Sequence, residues 1–244
     1  MKEPNRPPAG LWSLYKMGGI TPAINSVFNP QNAQQMAFLR QAMKSQRKDF
    51  VMDKPLDDLE VVVFDLETTG FQPNAGDEII SFGAVAVRGE RLLDEEFYTL
   101  VRPGRSIPPH IVELTGIRDE DCENAPTVME GLRRFFEFVD KRVLVAHASG
   151  HDKQFLNASL WKTSKVQMTH RVLDTIMIAK WLEPGRSDYS LDALLEEHGI
   201  PIAARHHALE DSRMTAQLWV KFLRIVRERN IHTLGELYAY LSQT

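Results

Sequence analysis

The chain has 244 residues, 43% of them hydrophobic and 25% charged, a composition typical of one soluble globular domain with an appendage. No apolar run approaches the ~18 residues of a membrane helix, and the single cysteine, Cys122, excludes an internal disulfide and a cysteine-based metal site. The net charge of −4 argues against binding nucleic acid through a generally basic surface.

Residues 1–57 differ in charge from the rest of the chain. They hold eight Lys and Arg against four Asp and Glu, whereas the remainder is acidic. We expect an N-terminal extension here, acting as a packing arm or as a contact to nucleic acid or a partner. Residues 31–47 lack Gly and Pro, which favours a helix. The start of the chain does not resemble a secretory signal, so we expect a cytoplasmic protein with no membrane association.

The catalytic domain is predicted to occupy residues 58–244 and to be of the α/β class. Three strands come first, then a Pro-containing loop over 106–121, and then alternating helices and strands that predict a sheet with helices on its faces. The predicted strands are 61–65, 78–90, 95–103, 143–146 and 172–174. The predicted helices are 126–138, 152–161, 176–183, 191–198, 208–229 and 234–241, the third of which is stopped by Pro184 and Gly185.

Two carboxylates, Asp65 and Glu67, end the first of these strands. Residues i and i+2 of a strand project to the same side, so both acids face one point. Burying unpaired carboxylates is costly, and Mg²⁺ or Mn²⁺ would compensate their charge with the oxygen ligands that these ions prefer. The alternative is that Asp65 caps the turn while Glu67 pairs with an arginine.

Two further acids lie on predicted helices. Asp211 belongs to the apolar face of the longest helix, where an acid is out of place unless it has a function. Asp152 opens an earlier apolar stripe, but an acid near a helix start also serves as a capping or first-turn residue. His206 and His207 precede the longest helix, and a neutral imidazole there suits general-base chemistry. The residues alone do not choose between the two histidines.

These segments resemble the DEDDh family of 3′→5′ exonucleases, in particular the proofreading epsilon subunits of bacterial DNA polymerase III. The matching motifs are FDLETTG with Asp65 and Glu67, LVAHASGHDKQFL with Asp152, and H-x-A-x-x-D, which runs from His206 to Asp211. The resemblance covers residues 60–228 and selects His206 over His207. In the second motif, Ala148 and His151 replace the family's usual Asn and Phe, which bears on packing and substrate contact beside Asp152.

The resemblance implies a ribonuclease H-like fold with a mixed central sheet, and a site that holds two divalent cations, Mg²⁺ or Mn²⁺. It implies that Asp65 bridges both ions, that Glu67 and Asp211 complete one ion site, and that Asp152 supports the other. His206 would deprotonate the attacking water, and 5′-mononucleotides would leave from a 3′ end. The backbone around Leu66 and the hydroxyl of Thr68 would contact the terminal nucleotide.

Two alternatives to a DNA exonuclease stay open: one acts on a different substrate, and the other is not an enzyme. An exoribonuclease would use the same carboxylates on RNA, although Thr68 favours the DNA branch. A non-catalytic module that binds nucleic acid or a polymerase would bind normally without turnover. Because the sequence holds no polymerase region, proofreading would require a DNA polymerase subunit as partner, whereas a stand-alone nuclease in repair or turnover would require only DNA with a single-stranded 3′ end.

Overall fold

The computed structural model describes residues 30–45 and 51–242. The chain divides into two compact units, Met1–Gln34 and Gln35–Thr244. In the first unit only residues 30–34 are described, as the start of a helix that runs from Pro30 to Ser45. Most of the predicted N-terminal extension therefore lies outside the described residues, and the boundary between residues 57 and 58 stays a prediction.

A mixed five-stranded sheet organises the second unit, as predicted. Its order is β3-β2-β1-β4-β5, with antiparallel pairing from β3 to β1 and parallel pairing from β1 to β5. The strands are β1 (Glu60–Thr68), β2 (Ile79–Arg88), β3 (Arg91–Leu100), β4 (Val143–Ala146) and β5 (Val172–Asp174).

Helices cover both faces of this sheet. Those described are α1 (Pro30–Ser45), α2 (Pro109–Thr115), α3 (Asp119–Cys122), α4 (Val128–Val139), α5 (Gly150–Ser164), α6 (Thr175–Leu182), α7 (Leu191–Glu197), α8 (Ala208–Glu228) and α9 (Leu234–Leu241). Helices α2 and α3 occupy the segment predicted as a loop, so that prediction was wrong. None of the described helices combines the length and apolar character needed to cross a membrane.

The alternation of side chains along β1 sorts the core into two layers. Val61 and Val63 face one layer, in which α6 to α9 pack. Val62 and Phe64 face the other layer, in which α4, α5 and residues of α1 pack. Asp65 and Glu67 continue the first series, so the spacing of β1 directs both carboxylates towards the face that α8 covers.

Candidate active site

The register of β1 places its two acids beside small residues of β2. Asp65 lies opposite Gly83, and Glu67 lies opposite Ser81. The pairing shifts register between Glu67 and Thr68, which ends the regular ladder immediately after the second acid. Glu67 is only 8% exposed, so both the strand and its neighbours hold this carboxylate away from bulk water.

A third carboxylate, that of Asp211, comes from the first turn of α8. Gly83 permits this approach, because a Cβ at that position would lie 2.1 Å from the backbone carbonyl carbon of Ala208. One carboxylate oxygen from each of Asp65, Glu67 and Asp211 lies within 4.8 Å of the others. A strand and a helix thus bring three acids to one point, although Glu67 and Asp211 are 144 residues apart in sequence.

Asp152 lies in the first turn of α5 and is 3% exposed. It is not one of the three carboxylates whose oxygens converge within 4.8 Å, but its charge raises the pKa of Asp65. Burial and the charge of Glu67 raise the pKa of Asp152. A hydrogen bond with the backbone of Leu66 opposes this rise. Asp152 therefore borders the convergent acids without joining them.

The four acids resist ionisation together. Burial is the main cause that raises the pKa of Asp65, followed by the charges of Asp152, Glu67 and Asp211. Burial and the charge of Asp211 raise the pKa of Glu67 to about 8. Burial also raises the pKa of Asp211. A set of carboxylate oxygens that repel one another in a buried cleft fits hard divalent cations, because such ions supply the missing positive charge.

Arg205 supplies the positive charge that this structure places against the acids. Its guanidinium pairs with the Oδ1 atom of Asp211, and its Nε atom lies 2.5 Å from Oδ1 of Asp192. The charge of the same guanidinium partly offsets the rise in the pKa of Asp65 and of Glu67, which burial dominates. The sequence patterns did not single out Arg205, because one basic residue in a loop before a helix has many ordinary explanations.

The two histidines before α8 have different surroundings. His206 lines the cleft together with the acids, and its backbone amide donates a hydrogen bond to Oδ2 of Asp211 at 2.9 Å. His206 adopts a left-handed backbone conformation with φ of 60°, which is uncommon for a residue with a side chain. His207 instead caps α8 and stacks on Tyr98 with ring centroids 4.8 Å apart. His207 therefore has a structural task, whereas His206 lines the cleft that contains the acids.

An open cleft of about 390 Å³ joins these groups. It is lined by residues of β1, of the loops after β4 and before α7, of the first turns of α6, α7 and α8, and of the segment that enters α8. The lining residues are Asp65, Leu66, Glu67, His147, Ala148, Ile176, Tyr189, Ser190, Leu191, Arg205, His206 and Asp211. Leu66 packs its side chain into the opposite core layer, so its backbone is the part available to a ligand.

Thr68 connects β1 to α5. Its hydroxyl donates to the carbonyl of Gly70 at 2.7 Å and lies 3.3 Å from Nε2 of His151. The His151 ring lies between Phe71 and Phe155, at centroid distances of 5.8 and 4.7 Å. Phe71 is 73% exposed, so most of its phenyl ring is in contact with solvent. Its place directly after the TTG segment is the sequence signal that could have identified it.

The loop after β4 is held by Asp174. The backbone amides of Ala148 and Ser149 donate to its two carboxylate oxygens, at 3.2 and 2.7 Å. Ala148 has a φ of 54°, a conformation that asparagine tolerates better than alanine. The Asp174 carboxylate thus holds the turn that leads to Asp152, even though alanine occupies a strained position there.

Comparison with known proteins places these features in context. Residues 62–219 match the profile of the exonuclease family RNase_T. The chain is 36% identical over 181 residues to the DNA polymerase III subunit epsilon of Aquifex aeolicus, covering 74% of this chain and 89% of that protein. It is 37% identical over 185 residues to the PolC-type DNA polymerase III of Thermotoga maritima, covering 76% of this chain but 13% of the relative's length.

Solved structures of nucleases share the fold. Exonuclease X in complex with 5′ overhanging duplex DNA superposes with a TM-score of 0.60 at 22% identity, covering 74% of this chain and 99% of that one. The nuclease domain of 3′hExo, a DEDDh family member bound to rAMP, superposes with a TM-score of 0.61 at 22% identity, covering 72% and 94%. These similarities confirm the predicted ribonuclease H-like arrangement.

Proposed function

Because the chain belongs to the RNase_T exonuclease family, we propose that it hydrolyses the terminal phosphodiester bond at the 3′ end of single-stranded or frayed DNA. The products would be 5′-mononucleotides, and the reaction would require divalent metal. The observation that carries this proposal is the convergence of Asp65, Glu67 and Asp211 within 4.8 Å, in a cleft that His206 also lines. A module that only binds nucleic acid has no need for buried carboxylates that repel its ligand.

Two Mg²⁺ or Mn²⁺ ions are the proposed cofactors. Asp65, Glu67 and Asp211 would hold one ion, and Asp65 with Asp152 would hold the other. Bound there, the metal ions would lower the pKa of water and neutralise charge on the phosphate oxygens. A donor set made only of carboxylate oxygens favours these hard ions over zinc, which prefers nitrogen and sulfur.

His206 is the proposed general base. It would accept a proton from the attacking water, whose oxygen forms the new bond to phosphorus while the 3′ oxygen of the next nucleotide leaves. The hydrogen bond from the His206 amide to Asp211 positions this histidine beside the acids. His207 is not available for this role, because its side chain caps α8.

The terminal nucleotide would bind at the end of β1. Leu66 lines the cleft, and the Thr68 hydroxyl, two residues further along the strand, donates to the carbonyl of Gly70. Exposed Phe71 offers a surface on which a base could stack, the usual way in which proteins hold unpaired bases.

The similarity to DNA polymerase III proteins supports DNA over RNA as substrate and a DNA polymerase subunit as partner. It also supports a cytoplasmic location. The chain spans about an eighth of the length of the PolC-type relatives, so their other activities are not carried over. The domain arrangement that accompanies this proposal is an extension over 1–57 followed by an exonuclease domain over 58–244.

The test is digestion of a 5′-labelled single-stranded DNA oligomer and of RNA with the same sequence, with Mg²⁺ or Mn²⁺. We expect the DNA to shorten one nucleotide at a time from its 3′ end. Asp65→Ala should abolish this reaction, whereas Glu228→Gln, which removes a carboxylate exposed at the end of α8, should leave it intact. Faster digestion of RNA would assign the chain to the exoribonuclease branch, and binding without cleavage would refute catalysis.

A further inference from the structure

A basic groove lies where the end of α5 meets α1, away from the carboxylates. It has a volume of about 710 Å³. Its lining residues are Arg40, Met43, Lys44, Trp161, Lys165, Val166, Gln167, Met168 and Thr169. These include three cationic side chains and no acidic one, in a chain whose net charge is −4. We call this surface the α1–α5 groove.

The groove has fixed walls. Leu39 and Met43 bury the inner side of α1 in the core, which leaves Arg40 and Lys44 on the outer side. The Nε atom of Arg40 donates to the carbonyl of Ser164 at 3.0 Å, and the Thr169 hydroxyl donates to the carbonyl of Met43 at 2.6 Å. These bonds join α1 to both ends of the segment that follows α5.

The cations of the groove are available to a ligand. Among the described residues, neither Lys44 nor Lys165 forms an ion pair with a carboxylate. The ammonium group of Lys165 lies 5.6 Å from the centre of the Trp161 ring. Trp161 is 56% exposed to solvent. An exposed indole beside unpaired cations is the combination that binds single-stranded nucleic acid, because bases stack on the ring and phosphates pair with the cations. An acidic protein segment would use the cations but would leave the indole without a matching partner.

Helix α5 connects this groove to the active site. Its solvent-facing stripe starts at His151, whose ring contacts Thr68, and continues at steps of three and four residues. The stripe comprises His151, Gln154, Ala158, Lys162 and Lys165, none of which is buried. The fourteen residue steps from His151 to Lys165 span about 21 Å at 1.5 Å per step. A strand that leaves the cleft along this stripe reaches Trp161 and Lys165 within a few nucleotides of its 3′ end.

We propose that the α1–α5 groove binds the single-stranded part of the substrate upstream of the nucleotide being removed. This inference rests on the proposed exonuclease function, to which it adds a second contact with the strand. It predicts that long oligomers bind more tightly than substrates confined to the cleft. It also predicts that changes in the groove weaken strand binding without slowing chemistry on a substrate too short to reach it.

The test compares Trp161→Ala and Lys44→Glu with a matched control, Lys221→Glu. Lys44 and Lys221 are both exposed helical lysines, but Lys221 is on α8, which covers the opposite face of the sheet. Affinity is measured by fluorescence anisotropy of a labelled single-stranded DNA oligomer of about 20 nucleotides, longer than the ~4–16 nucleotides of typical single-strand sites, with Ca²⁺ replacing Mg²⁺. Turnover is measured separately on the p-nitrophenyl ester of thymidine 5′-monophosphate, which occupies the cleft alone.

We expect Trp161→Ala to weaken oligomer binding by roughly tenfold, the loss of one stacked base. Lys44→Glu should also weaken binding, and it should reduce the slope of log K against log salt by about 0.7 or more, the loss of at least one phosphate contact. Turnover of the ester should stay within about twofold of the wild type for all three variants.

Equal oligomer affinity for the wild type and both groove variants would overturn the inference, as would an equal loss in the Lys221→Glu control. Failure of the exonuclease function itself has a different signature. In that case the wild type would bind the oligomer through the groove but would not turn over the ester with Mg²⁺ or Mn²⁺.

Discussion

Replacing Glu67 with glutamine is expected to stabilise the metal-free protein at neutral and alkaline pH. Burial and the charge of Asp211 raise the pKa of Glu67 from 4.5 to about 8 in the folded chain. A carboxyl group whose pKa rises on folding gives its full stability below the unfolded pKa, and that stability is lost as the pH rises through the folded pKa. Glu67 should therefore destabilise the metal-free fold increasingly between pH 4.5 and about 8.

The size of this effect follows from the two pKa values. A shift from 4.5 to about 8 removes on the order of 3–4 kcal/mol of folding free energy between about pH 5 and about pH 8. Solvent screens this energetic cost little, because Glu67 is only 8% exposed. Glu67→Gln cannot ionise, so it should lose this part of the pH dependence. Its neutral side chain should also ease ionisation of Asp65 and Asp152, whose pKa values the charge of Glu67 raises.

The assay is urea unfolding followed by circular dichroism in EDTA, at about pH 5 and about pH 8, the interval over which linkage predicts the change. The variant should match or exceed the wild type at both values, with a clear excess only at the higher pH. Glu228→Gln, which removes one exposed carboxylate, controls for general charge effects. Parallel pH dependence in the wild type and Glu67→Gln would refute the inference that this buried carboxylate is held at an energetic cost.

Three other substitutions test separate parts of the site. Gly83→Ala should lower kcat/KM in the nuclease assay by at least tenfold, because the added methyl group would meet the backbone of Ala208 at 2.1 Å and move the start of α8. Gly150→Ala is the control, because a methyl group at that position meets no atom within 4 Å. Arg205→Ala should tighten Mn²⁺ binding, measured by calorimetry, on the order of tenfold, because it removes a guanidinium that competes with the metal ion for Asp211. Weaker Mn²⁺ binding by the variant would contradict this. His206→Ala should lower kcat by roughly 10²–10⁴-fold with Mn²⁺ affinity preserved, and unchanged kcat would exclude the general-base assignment.

Local patterns were enough to predict most of the fold. Strands β4 and β5 and helix α9 have the predicted bounds, because each is a short apolar run between strong turn or cap signals. The first strand extends to Thr68 instead of ending at Asp65, since pairing with β2 continues past the acids. A local pattern of apolar residues does not show where one strand pairs with another that is distant in sequence.

The missed helices have a physical explanation. Helix α2 has seven residues and α3 has four, which is too short for a periodic apolar face. Pro109 also reads as a loop residue, although proline is well tolerated in the first turn, where its missing amide has no helical partner.

The parts of the site that sequence reasoning could not supply depend on distant contacts. Gly83 belongs to none of the matched sequence motifs, and its importance follows only from the close approach of α8 to β2. Arg205 similarly becomes meaningful once its guanidinium lies between Asp192 and Asp211. Asp65, Glu67 and Asp211 could be proposed from their local positions in a strand and a helix. The choice of His206 over His207 needed the resemblance to a known family, and the catalytic roles of all these residues stay predictions.

The metal dependence of digestion tests the central claim most directly. A 5′-labelled single-stranded DNA oligomer is incubated with protein in EDTA, and excess Mn²⁺ is then added to the same reaction. We predict no change in EDTA, followed by stepwise shortening from the 3′ end once Mn²⁺ is present. Shortening that proceeds in EDTA, or that begins at the 5′ end, would contradict the account of a carboxylate-bound metal site acting on 3′ termini.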